Sequence, residues 1–179
     1  MFSSEKLGFQ NSLVKRKGDR QMKKIMILIF IFLFGLGSMG SAFSSEKEKK
    51  FGNIGKMGSR ELTSAAKAAL ERKYPLENWE KYKFPRYVYT NEAVQNGYKI
   101  AVKEAQLLAK FPCYCFCEEM GHKNLAYCFL EKGTAGEKFD DHASTCNICY
   151  TQAMKAFLWN ELGATEEEMQ KAMKEIYGN

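Results

Sequence analysis

Proline is scarce, three residues in 179, and histidine scarcer still, with two. Cysteine is missing altogether before position 113. The first scarcity excludes a collagen-like or proline-rich extended chain. The last excludes a lipid-bearing cysteine near the start of the chain. No segment alternates apolar and polar residues for long enough to predict a strand. A Gly-rich phosphate loop, a Ser/His/Asp spacing and a paired-carboxylate signature are all missing, so ordinary hydrolase and nucleotide chemistry has no foothold. The longest apolar run, Ile25 to Phe34, falls short of the roughly 20 residues that span a bilayer. Positive charge is confined as well. Residues 1–42 hold seven Lys/Arg against two acids, whereas residues 43–179 hold 20 against 19. The overall charge of +6 is therefore mostly a property of the leader, and no nucleic-acid partner is expected.

That leader is ordered like an export signal. Met22-Lys23-Lys24 precedes the apolar run, and Ser38-Met39-Gly40-Ser41-Ala42 follows it. A positive start, a short apolar centre and small residues at a cut after Ala42 predict a secretory signal over residues 22–42. Residues 1–21 lie upstream as a leader extension or a mis-assigned start. The expected location is periplasmic or extracellular. The alternative is an inner-membrane anchor through residues 25–37, the one membrane contact the sequence supports. Residues 43–58, rich in Gly, Ser and Lys, predict a flexible tether. Residues 59–179 then form a single domain, long enough to bury a core without disulfides.

The expected fold is mainly α, a small helical bundle with a Cys/His-rich corner. Leu62, Ala65, Ala66, Ala69 and Leu70 make one helical stripe, with Ser59 as a cap and Tyr74-Pro75 as the stop. Residues 76–90 interleave aromatic and basic side chains and read as an irregular segment laid over the core. A long helix is predicted from Asn91, its N-cap, to Lys110. A short helix near 124–131, a loop over 133–141 and a helix over 145–162 follow. Thr165 and Glu168 form a capping box for the last helix, whose buried face is Met169, Ala172, Met173, Ile176 and Tyr177. Met154, Met169 and Met173 fall on apolar stripes and read as core residues, not metal ligands.

Six cysteines and both histidines fall within 37 residues, from Cys113 to Cys149. Cys113, Cys115 and Cys117 project to one side if the chain is extended, and Cys146 and Cys149 share one helical face. A helix N-terminus there favours thiolates. With His122, Cys128 and His142 these residues make eight candidate metal ligands. Thiolates with imidazoles suit a soft transition metal: Cu(I), Zn(II) or an iron–sulfur centre. Eight donors exceed one tetrahedral site, so two sites or a small cluster are open alternatives to non-ligand cysteines. Asp140 and Asp141 could orient His142. Metal capture, storage, delivery or electron carriage are the functions that follow, with a redox or metal-transfer protein as partner and no catalytic residue assigned. A thiol–disulfide redox protein is the second reading, and the form an enzymatic role would take. A disulfide-stapled interaction protein is the third.

The run Pro112-Cys113-Tyr114-Cys115-Phe116-Cys117, followed by Gly121-His122, Cys128-Phe129, Asp141-His142 and Cys146-x2-Cys149, resembles a family of exported bacterial proteins. That family is named for a Pro-Cys-Tyr-Cys-Gly-Cys motif and is also described as CYCXC proteins. The resemblance covers roughly Asn91 to Trp159, with Phe116 where the motif often has Gly. It implies a common Cys/His site, with no settled biochemical function. Many members are lipoproteins, which this chain's lack of an early cysteine does not match. Selenocysteine in the motif of some relatives would suit redox chemistry or a soft-metal site.

Overall fold

A computed structural model describes residues 37–115, 121–136 and 138–178. The proposed leader over residues 1–21 and most of the export signal lie outside the described residues. No helix among the described residues is long and apolar enough to cross a membrane. The chain divides after Lys47, and the packing below is that of the unit from Glu48 onward.

Among the described residues the fold is mainly helical, with no strand. The elements are α1 (Gly37–Lys56), α2 (Ser59–Lys73), α3 (Glu92–Lys103), α4 (Ala105–Leu108), α5 (His142–Thr145), α6 (Asn147–Glu161) and α7 (Glu166–Tyr177). Short 3-10 turns join them at Trp79–Tyr82, Arg86–Tyr89, Leu125–Cys128 and Glu131–Gly133. The helix α6 is the centre. Cys149 and every residue from Gln152 to Trp159 are buried, so it has no solvent face over those turns. Against it lie α2 and α3, presenting Leu62, Ala66, Ala69 and Leu70 from one and Val94, Tyr98 and Ala101 from the other. Asn91 caps α3, accepting the Val94 N–H at 3.0 Å. The capping box of α7 is complete, and Met169 and Met173 seat that helix in the core.

Three elements depart from expectation. Residues 43–58, expected as a tether, are helical as far as Lys56. Their composition conceals an apolar stripe: Phe51 stacks on Trp159 at 4.9 Å and Ile54 is buried. Trp159 Nε1 donates to the Phe51 carbonyl at 3.0 Å, and buried Lys155 donates to the Gly55 carbonyl at 2.7 Å. Tertiary contacts here override weak helix propensity. The helix predicted over 91–110 breaks at Glu104 (φ −127°, ψ 33°). That residue's carboxylate accepts from Tyr74 Oη and from Lys73 Nζ. The helix predicted over 145–162 starts only at Asn147, because Cys146 is extended (φ −110°, ψ 107°). Gly58, not Ser59, occupies the N-cap of α2.

Candidate metal centre

Three segments meet at the N-terminal end of α6. The first is the turn after Phe111 and Pro112, which carries Cys113 and Cys115. Phe111 is buried and its carbonyl accepts the Leu125 N–H at 2.8 Å, so this turn is tied to the 3-10 turn bearing Cys128. The second segment runs from Phe129 to His142. It is held by the antiparallel bridge Leu130↔Phe139 and by Tyr98 Oη, which donates to the Asp140 carbonyl at 2.6 Å. The third is the first turn of α6. Gly97 of α3 lets this turn approach, because a Cβ there would sit 2.9 Å from Tyr150 Cβ and from Phe129 Cε1.

The result is a compact set of donors. Cys113 Sγ lies 3.1 Å from Cys115 Sγ and 3.5 Å from Cys149 Sγ. Cys115 Sγ lies 3.4 Å from Cys149 Sγ and 3.3 Å from His142 Nε2. Two four-residue groups follow, each with all ligand atoms within 4.8 Å of one another: Cys113, Cys115, Cys128 and Cys149, and Cys115, His142, Cys146 and Cys149. Four sulfurs around one tetrahedral ion, each about 2.3 Å from it, lie about 3.8 Å apart. The observed separations of 3.1–3.5 Å are a few tenths of an ångström tighter, on the scale of an ion-sized site, and the donors, one set of four cysteine sulfurs and one with an imidazole, are those of soft metals.

Protons are shared unequally among these thiols. Cys113 is held far below the usual thiol range, at about 3, by hydrogen bonds from Cys128 and then Cys149, against the opposing effect of burial. Cys149 is pushed up by hydrogen bonding with its neighbours, first Cys113 and then Cys128 and Cys146, which holds its proton in place. Cys128 is also raised, chiefly by Cys113. Cys146 falls to about 6, first through Cys149 and, after burial's opposing effect, through the backbone N–H groups of Cys149 and Ile148. The helix N-terminus thus favours a thiolate at Cys146 but not at Cys149, which differs from the expectation for the pair. Several thiolates cannot share so small a volume unless a cation balances them.

Cys115 is disulfide-bonded, whereas Cys113, Cys128, Cys146 and Cys149 are thiols. Cys117 and Phe116 lie outside the described residues. His122 belongs to neither four-residue group. Its Nδ1 is 3.6 Å from Cys128 Sγ and its Nε2 is 3.6 Å from Asp140 Oδ2. Asp140 thus faces the His122 ring, while its other oxygen accepts the His142 backbone N–H at 2.9 Å. Asp140 thereby sets the start of α5 through the backbone of His142.

Gln152 was not legible as a site residue. It is fully buried one turn beyond Cys149, and its Oε1 accepts from the Tyr114 N–H at 3.3 Å and lies 3.7 Å from Cys113 Sγ. Its Nε2 has no partner among the described residues. A polar residue three positions after Cys149, and so on the same helical face, was the available signal.

The fold and site define a helical bundle that carries a Cys/His cluster at one end of its central helix. By comparison of sequences, the chain belongs to a family described as "Protein of unknown function with PCYCGC motif", matched over residues 77–179. No curated protein and no solved structure matches.

Proposed function

We propose that this is an exported protein that binds a soft metal ion through its Cys/His cluster, for capture, storage, delivery or electron carriage. The observation that carries the reading is the pair of four-donor groups built from Cys113, Cys115, Cys128, His142, Cys146 and Cys149. These residues come from three separate segments and converge on ion-sized spaces. A core of this size needs no such cluster for stability. Export rests on the sequence of residues 22–42. The partner is a protein that donates or accepts the metal or an electron. Elemental analysis of protein purified anaerobically without chelator tests the reading. Stoichiometric Zn, Cu or Fe in the wild type, reduced in Cys149→Ser, supports it. Metal-free protein with reduced thiols contradicts it.

One observation favours a second reading, a thiol–disulfide redox protein. The Cys113 sulfur, with its lowered pKa, lies 3.1 Å from the disulfide-bonded Cys115. A thiolate beside a disulfide is the arrangement exchange chemistry uses. Reversible turnover of that disulfide against an external dithiol, undiminished by removal of metal, would favour it.

A further inference from the structure

We infer that the cluster holds two divalent soft-metal ions, bridged by the thiolates of Cys115 and Cys149. This rests on the metal-binding reading and specifies the centre it implies. Both four-donor groups contain Cys115 and Cys149, and these are the only residues they share. The remaining donors divide cleanly, with Cys113 and Cys128 in one group and His142 and Cys146 in the other. The shared sulfurs lie within 4.8 Å of the donors of both pairs. Cys113 Sγ lies 3.1 and 3.5 Å from the sulfurs of Cys115 and Cys149, and His142 Nε2 lies 3.3 Å from Cys115 Sγ. The shared sulfurs are themselves 3.4 Å apart. Two ions each about 2.3 Å from both sulfurs would then lie about 3 Å from one another.

Charge points the same way. Five thiolates and one neutral imidazole carry five negative charges. One divalent ion would leave three uncompensated in a largely buried site, and two leave one. A [2Fe–2S] cluster fits less well, because its irons are bridged by inorganic sulfide and each takes its own pair of protein ligands. That cluster has no use for two shared cysteines.

Loading starts with reduction of the Cys115 disulfide. A dithiol of the medium gives up two electrons and two protons and becomes a disulfide. The S–S bond breaks, and Cys115 and its disulfide partner each take one electron and one proton and are released as thiols; the metal then displaces the Cys115 proton to solvent.

The test is a cobalt(II) titration of the dithiol-reduced full chain, followed by electron paramagnetic resonance, with zinc(II) stoichiometry from native mass spectrometry. The first equivalent of cobalt should raise a high-spin signal. The second should collapse it, because ions that share two thiolates couple magnetically. Zinc should bind to two ions per chain. Cys128→Ser and His142→Ala should each retain one ion, and Cys149→Ser at most one weakly held. A cobalt signal that grows linearly through the second equivalent, or zinc binding that stops at one, overturns the bridged pair while leaving the metal-binding reading standing. No binding of either ion removes both. The cobalt signal is read on the wild type, so it does not depend on any variant folding.

Discussion

The sulfurs of Cys115 and Cys149 lie 3.4 Å apart although 34 residues separate them in sequence. Cys149 is fixed within the first turn of the most buried helix, and Cys115 sits on a turn anchored by buried Phe111. The proximity is therefore made by the core, not by the motif alone, and substitutions remote from any sulfur should disturb it.

Gly97→Ala is the sharpest of these. The added methyl would meet Tyr150 Cβ and Phe129 Cε1 at 2.9 Å, and α3 would have to move off the first turns of α6. Overpacking of this kind costs about 1–3 kcal/mol. Urea unfolding should show a lower midpoint with an unchanged slope, and metal affinity should fall with it. A variant as stable as the wild type would mean that the helices do not approach so closely.

Asp140→Ala should separate site geometry from stability. Asp140 holds the His142 N–H and faces the His122 ring, but it is partly exposed and contributes little core. Loss of a carboxylate that positions a metal-ligating histidine, here through its backbone N–H, typically costs about 10- to 100-fold in metal affinity. The expected result is that weakening with a nearly unchanged Tm, measured by competition with a chromogenic chelator.

The N-terminal half of the unit should depend on an aromatic pair. Phe51→Ala removes the stack on Trp159 and should destabilise the protein by about 1–3 kcal/mol. Hydrogen exchange should then quicken in 48–56 before the rest of the fold. Exchange in that segment already as fast as in an unfolded chain, in the wild type, would count against docking of residues 48–56.

Acid sensitivity has a specific source in Glu77. Its carboxylate accepts from Lys103 Nζ at 2.8 Å and pairs with Lys81 at 2.5 Å. Lys103 and Lys81 lower its pKa from 4.5 to about 2. The folded value is below the unfolded one, so the stabilisation is fully present above about pH 4.5 and disappears as pH falls towards 2. Glu77→Gln should flatten the stability profile between pH 5 and 2 and leave the wild-type and variant curves parallel above it. Profiles that run parallel throughout would show that the ion pairs do not stabilise the fold.

Much of this was legible in the sequence. The stripes of α2 and α3 and the caps at Asn91 and Thr165 obey local rules, and so did the structure; on α7 only Met169 and Met173 are buried, and Ile176, expected on the buried face, is exposed. Grouping Cys146 with Cys149, and both with Cys113 and Cys115, followed from spacing and a plausible fold-back. What could not be read was set by tertiary contact. The helix through residues 43–56 exists because Phe51 and Ile54 find Trp159 and the core, which a Gly/Ser/Lys-rich composition hides. The break at Glu104 answers partners 30 and 31 residues away, Tyr74 and Lys73. Gln152 looked like an ordinary helix residue until its carbonyl was seen against the turn of Cys113. The sharing of Cys115 and Cys149 between two donor groups is a three-dimensional fact that no linear spacing encodes.

Native mass spectrometry of the exported chain, purified without air or chelator, tests the central claim most directly. A mass in excess of the reduced polypeptide, lost on acid denaturation, is the expected result, and the size of the excess identifies the ion. A metal-free protein whose mass is lowered by about two daltons for each of three stable disulfides would contradict the account and make the cysteines structural.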